Sequence, residues 1–122
     1  MDFKELLAYK KSFELVMEIF EISKFFPQEE KYSLTDQIRR SSRSVSANIA
    51  ESYRKRRYTN HFISKLTDSD AENSETNVWL EFALKCEYIN QEKFESLNTK
   101  SFEIGKLINY MINNPSKFGC SV

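Results

Sequence analysis

The residues best equipped for chemistry are arginines, and they are not spread evenly. All six fall between Asp36 and Arg57, in the stretch DQIRRSSRSVSANIAESYRKRR. Arg39, Arg40 and Arg43 sit at one end, and Arg54, Lys55, Arg56 and Arg57 at the other. A guanidinium fork does two things well: it pairs with carboxylates and it binds phosphate. Carboxylates are available, because Asp68 to Glu81 holds five acids and no base. The segment Asp36 to His61 carries seven Lys/Arg against two acids, a local +5 in a chain of formal net charge +0.

Other chemistries lack their residues. A di-iron bundle needs inward Glu with Glu-x-x-His pairs, and the single histidine, His61, has Tyr58 three positions before it. Cys86 and Cys120 are too far apart for a metal finger and too few for a disulfide scaffold. The two glycines, Gly105 and Gly119, cannot form a phosphate-cradling loop. Asp70, Glu72 and Glu75 could hold a divalent cation, although pairing with arginine is the reading we prefer. We expect no enzyme activity, no cofactor and no metal.

The elements that position these side chains are helices. At about 100° per residue, Leu34, Ile38, Val45 and Ile49 form one inward line, with Ser41, Ser42 and Ser52 beside it. Serine is a middling helix former, so so many serines imply close approach by a neighbouring helix. Asn48 lies at the edge of that line, where its amide either fixes register or meets a ligand; Glu51 follows it. The first helix is predicted from about Glu5 to Phe25, with Leu6, Tyr9, Phe13, Val16, Met17 and Phe20 inward. Its second apolar set, Ala8, Leu15, Ile19 and Ile22, then needs another partner.

Phe26-Pro27 ends this helix, Ser33 is a candidate cap for the second, and Thr59 for the third. Helix three carries Phe62, Leu66, Leu80 and Leu84 inward, with polar Ser69, Asp70, Asn73 and Asn77 between them. A tight turn near Arg57 sets Arg39 level with Glu75 and Arg43 level with Ala71, so a ladder of Arg–carboxylate pairs, within or between subunits, is expected there. Val78, Trp79 and Phe82 point away from the core line and suit an oligomer contact. Asn90 caps helix four, whose inward residues are Phe94, Leu97, Ile104, Ile108 and Met111.

A chain of 122 residues with two prolines and two glycines fits one helical domain. The predicted fold is all-α: a left-handed up-down-up-down four-helix bundle over residues 1–114, with a loose tail over 115–122. The chain has no signal peptide and no long apolar run, so a cytoplasmic protein without a membrane partner is expected.

The series Leu34-Thr35-x-Gln37-Ile38-Arg39-Arg40, then Ser44-Val45-x-x-Asn48-Ile49-Ala50-Glu51, resembles the 23S rRNA intervening sequence protein family. Phe26-Pro27-x-x-Glu30 upstream and Tyr88-Ile89 downstream extend the likeness to roughly residues 3–112. Ser52 stands where the family usually has glycine, and Ala71-Glu72 where it has Gly-Ser. The resemblance implies a bacterial four-helix bundle that assembles as a ring-shaped homopentamer. The chain is also similar to the accessory variability determinant of diversity-generating retroelements, a more basic pentameric barrel that binds nucleic acid and a reverse transcriptase.

Two functions fit these readings. One is an oligomeric interaction protein that contacts RNA, DNA or a nucleic-acid-bearing protein partner. It would do so through Arg54, Lys55, Arg56 and Arg57, with Arg39, Arg40 and Arg43 secondary. The other is a scaffolding homo-oligomer whose arginines are used in ion pairs with acids such as Glu75, and whose Asp70 and Asn73 are structural. In both, the expected assembly is a pentamer joined through Val78, Trp79 and Phe82 or through the Leu15, Ile19 and Ile22 face.

Overall fold

A computed structural model describes residues 2–121. Four helices account for most of them: α1 Leu7–Ser23, α2 Leu34–Arg54, α3 Thr59–Lys85 and α4 Gln91–Asn113. Successive helices pack against each other and α1 closes against α4, giving an all-α four-helix bundle. No strand occurs among the described residues. Turns fall where predicted, after α1 around Pro27, between α2 and α3, and between α3 and α4.

The core lines of α2 and α4 form as their periodicity predicts. Ile38, Ile49, Leu97 and Ile108 are fully buried, and Phe94 packs at the edge. In α3, Phe62, Leu66 and Leu80 are inward, and Leu84 is half-buried.

The face expected of α1 is corrected. Ala8, Ser12, Leu15, Val16, Ile19 and Ser23 are the buried residues of the helix. Phe13 is 49% and Met17 44% exposed. The cause is close helix packing: Ser12 Oγ meets Ser46 Oγ of α2 at 2.8 Å. Small side chains set the depth of that seam, so α1 turns its Ala/Ser line inward. Of the line expected inward, Leu6 and Val16 are buried and Tyr9 and Phe20 half-buried, while Phe13 and Met17 face out. Leu15 and Ile19 therefore belong to their own core, and Ile22 is half-buried against it.

Hydroxyls line the other seam of α2 as well. Ser41 Oγ pairs with Thr76 Oγ1 at 2.9 Å, and Ser69 Oγ donates to the Val45 carbonyl at 2.8 Å. The polar middle of α3 finds partners on α4. Asn73 Nδ2 donates to the Ser101 carbonyl at 3.0 Å, while Ser101 Oγ donates to Asn73 Oδ1 at 3.0 Å. A buried polar group costs stability unless it is paired, and these are paired.

Caps differ in detail. Asn90 Oδ1 accepts from Lys93 N at 2.7 Å, as predicted. Ser33 makes no side-chain cap; Glu30 Oε1 accepts from Leu34 N instead, at 3.2 Å. The other oxygen of Glu30 accepts from the Tyr88 hydroxyl at 2.8 Å, and this bond chiefly pushes the phenol up to about 12. Thr59 starts α3 without capping it, and its hydroxyl donates to the Ser121 carbonyl.

The tail, expected to be loose, is folded over residues 115–120. A short 3-10 turn, Pro115–Phe118, folds back, Phe118 packs on the core edge, and Cys120 is buried. Met1 and Val122 lie outside the described residues.

The end of α3 is strained at one residue. Glu87 has φ 63, the left-handed region. Its N–H donates to the Leu84 carbonyl at 2.9 Å and that of Tyr88 to Ala83 at 2.8 Å, a Schellman closure in which glycine is the usual residue. Replacing Glu87 by Gly is expected to raise stability by about 0.5–1 kcal/mol. Urea melts check this: a midpoint at or below that of the wild type contradicts it.

Candidate nucleic-acid interface

The two seams fix the rotation of α2 and therefore the use of its arginines. Arg40 faces α3. Its Nη1 meets Glu72 Oε2 at 3.1 Å and its Nη2 meets Glu75 Oε1 at 2.6 Å, a fork across two carboxylates. The Glu75 hydrogen bond is the main reason its pKa is raised. Arg39 and Arg43 face α1 instead. Arg39 Nε donates to Ser23 Oγ at 2.8 Å and its guanidinium lies 4.8 Å from the Phe20 ring centre, with that of Arg43 at 5.9 Å. Within the subunit, Arg40 is the one arginine of the expected ladder that meets a carboxylate among the described residues; Arg39, one position away, points about 100° round the helix.

The turn after α2 holds the other cluster. Arg56 is drawn inward. Its guanidinium stacks 3.5 Å from the Tyr53 ring centre, Nε donates to the Tyr53 carbonyl at 2.7 Å, and Nη1 donates to the Phe118 carbonyl at 3.2 Å. It pins the tail to the end of α2, and the bound tail is tight around it. Gly119 has φ 94, and a Cβ there would stand 2.9 Å from Arg56 Nη1. Arg56 is therefore a structural residue, unlike its expected place in an open basic cluster.

Arg54, Lys55 and Arg57 remain exposed. None has a carboxylate partner among the described residues. The nearest acid in sequence, Glu51, is held by Lys65 at 2.8 Å, and that bond is the main cause of the raised Lys65 pKa. Beside Arg57 stand two rings that the sequence reading left out of the site. Tyr58 is 57% exposed; the Arg57 guanidinium is 5.8 Å and the His61 ring 5.4 Å from its centre. The signal was an aromatic residue set directly after the basic run. Arg39 and Arg43 continue the basic face along the outer side of α2, with Ala47 and Ala50 between them and Arg54.

The remaining predicted residues lie elsewhere. Asn48 is half-buried but its amide makes no hydrogen bond among the described residues, so it does not fix register. Asp70 is half-buried, with Asn109 Nδ2 at 3.5 Å. Val78 and Phe82 are exposed, and Trp79 is half-buried with a buried Nε1 that has no acceptor. No three His, Cys, Asp or Glu side chains converge on a metal position among the described residues. No helix is long and apolar enough to cross a membrane.

Arg56→Ala should release the tail. Burial pushes the Cys120 thiol up, against a smaller lowering by Arg56, whereas Cys86 is exposed. In the wild type Cys86 is expected to react with a thiol reagent well before Cys120. In the variant Cys120 should react at least about tenfold faster than before, since a lost charged hydrogen bond is worth about 1.5–3 kcal/mol. An unchanged Cys120 rate would show that Arg56 does not hold the tail.

Comparison with known proteins gives the arrangement a family. A solved structure described as a protein of unknown function from the S23 ribosomal protein family, from Bacteroides thetaiotaomicron, superposes with a TM-score of 0.78 at 36% identity. The match covers 88% of this chain and 96% of that one. No curated protein matches the sequence. The family model described as 23S rRNA-intervening sequence protein matches residues 4–110, and the chain belongs to that family.

Proposed function

We propose that this protein is a non-enzymatic interaction protein that binds single-stranded RNA or DNA at the α2–α3 turn. One observation carries the reading: Arg54, Lys55 and Arg57 are exposed and have no carboxylate partner among the described residues. Phosphate meets no competitor there. Tyr58 and His61 add rings on which bases can stack, the combination used by sequence-tolerant single-strand binders. Arg43 extends the positive face toward α1. The scaffolding alternative is favoured by Arg40, whose fork is fully used by Glu72 and Glu75.

The same proposal includes assembly into a homo-oligomer, a pentamer by family resemblance, within the cytoplasm. The contact is placed on Val78, Trp79 and Phe82. Phe82 is 53% and Val78 49% exposed, an apolar pair beside the half-buried Trp79. The Leu15 and Ile19 face is not part of it, since both side chains fill the core. In a ring, the α2–α3 turns would share one rim and make the site multivalent.

The test of binding is a salt titration with single-stranded RNA, comparing the wild type with Arg54, Lys55 and Arg57 all changed to Ser. Arg56 is kept because it holds the tail. Loss of three phosphate contacts should lower the log–log salt slope by about 2 and weaken binding at low salt. Equal binding by both proteins, or none by either, replaces this reading with the scaffold. Assembly has its own measurement. Phe82→Glu should lower the mass seen by sedimentation to that of a monomer while the helical signal stays. An unchanged oligomer moves the contact elsewhere.

A further inference from the structure

The acidic run of α3 is only partly neutralised. Glu72 and Glu75 are taken by Arg40, and Asp68 lies 3.8 Å from Lys65. Asp70 and Glu81 have no cation partner among the described residues. Both of these line one groove of about 620 Å³ between α3 and α4. That size falls within the range of small-molecule sites.

The groove is also rich in acceptors. Asn77 Nδ2 donates to the Asn73 carbonyl at 3.1 Å and to Ser101 Oγ at 2.6 Å. The Ser101 hydroxyl proton is already committed to Asn73 Oδ1. These bonds fix which way the Asn77 amide points, because a flipped amide would set its oxygen against the Asn73 carbonyl. Asn77 Oδ1 is consequently left buried without a donor. Asn98, on the opposite wall, is half-buried and its amide makes no hydrogen bond among the described residues. Phe102 is 64% exposed on the same wall, a face for an ammonium group.

We propose that this groove binds a linear polyamine. Asp70 and Glu81 are eleven residues apart in one helix, so they stand about 16 Å apart along its axis. That separation rules out joint chelation of one metal ion, whose oxygen ligands must lie within about 2.6 Å of it. A tetra-amine stretched along the groove sets an ammonium at each carboxylate, with N–H donors over the Asn98 amide and the Phe102 ring between. Among the described residues Lys106 is the one cation that lines the groove, and it opposes the ligand.

The probe is spermine, titrated into the full-length protein by calorimetry and followed through side-chain amide NMR signals. Saturable one-to-one binding is expected, with the Asn77 and Asn98 amides shifting together. Glu81→Gln and Asp70→Asn should each weaken it at least about fivefold, and Lys106→Gln should tighten it. Asp68→Asn, on the same helix outside the groove, should leave it within about twofold. The proposal is overturned by the absence of saturable binding, by equal losses for Asp68→Asn and Glu81→Gln, or by no gain from Lys106→Gln. Binding of a lysine-rich peptide but not spermine overturns it too, assigning the groove to a protein partner.

Discussion

Two seams of hydroxyl groups decide how α2 sits, and most of what the molecule presents to solvent follows from that. Ser46 meets Ser12 on one side, and Ser41 and the Val45 carbonyl meet Thr76 and Ser69 on the other. Each bond contributes only about 1 kcal/mol net, but each group would cost more if buried alone. Rotating α2 by one position would unpair all of them together. The seams therefore act as a register lock, and they send Arg40 to α3 and Arg39 and Arg43 to α1 as a consequence.

Much of this was legible in the sequence, and the misses have physical causes. The inward lines of α2 and α4 carry one clear apolar stripe each, so periodicity found them. In α1 two stripes compete, Phe13 and Met17 against Leu15 and Ile19. The stripe expected inward is right at Leu6 and Val16 and wrong at Phe13 and Met17, because Ser12 lets α2 come close on the other side. The same small-residue logic had been applied to α2 but not to its neighbour. Trp79 was legible as an outlier, though it turned out half-buried rather than projecting.

The candidate basic site shows a second limit. A run such as Arg54-Lys55-Arg56-Arg57 reads as four equivalent cations. The fold divides it, because successive residues of a turn point in different directions and the segment after α4 folds back onto one of them. Phe118 and Gly119 had no periodic partner in the sequence, so nothing marked the tail as the group that takes up Arg56.

A net charge of +0 describes this surface poorly. Screening limits exposed charges to interacting within about 8–10 Å at physiological salt, so a phosphate at Arg57 does not sense a carboxylate at the far end of the bundle. What it senses is the local balance, and that balance is set by which acids are already committed. Lys65 removes Glu51 from the vicinity of the turn, and Arg40 removes Glu72 and Glu75 from the acidic run. Pairing of this kind sorts the leftover charges in space. Of the basic run, Arg54, Lys55 and Arg57 are left over at the α2–α3 turn, and of the acidic run Asp70 and Glu81 are left over in the α3–α4 groove. One chain of zero net charge thereby offers two surfaces of opposite character, each set by ion pairs that neither surface contains.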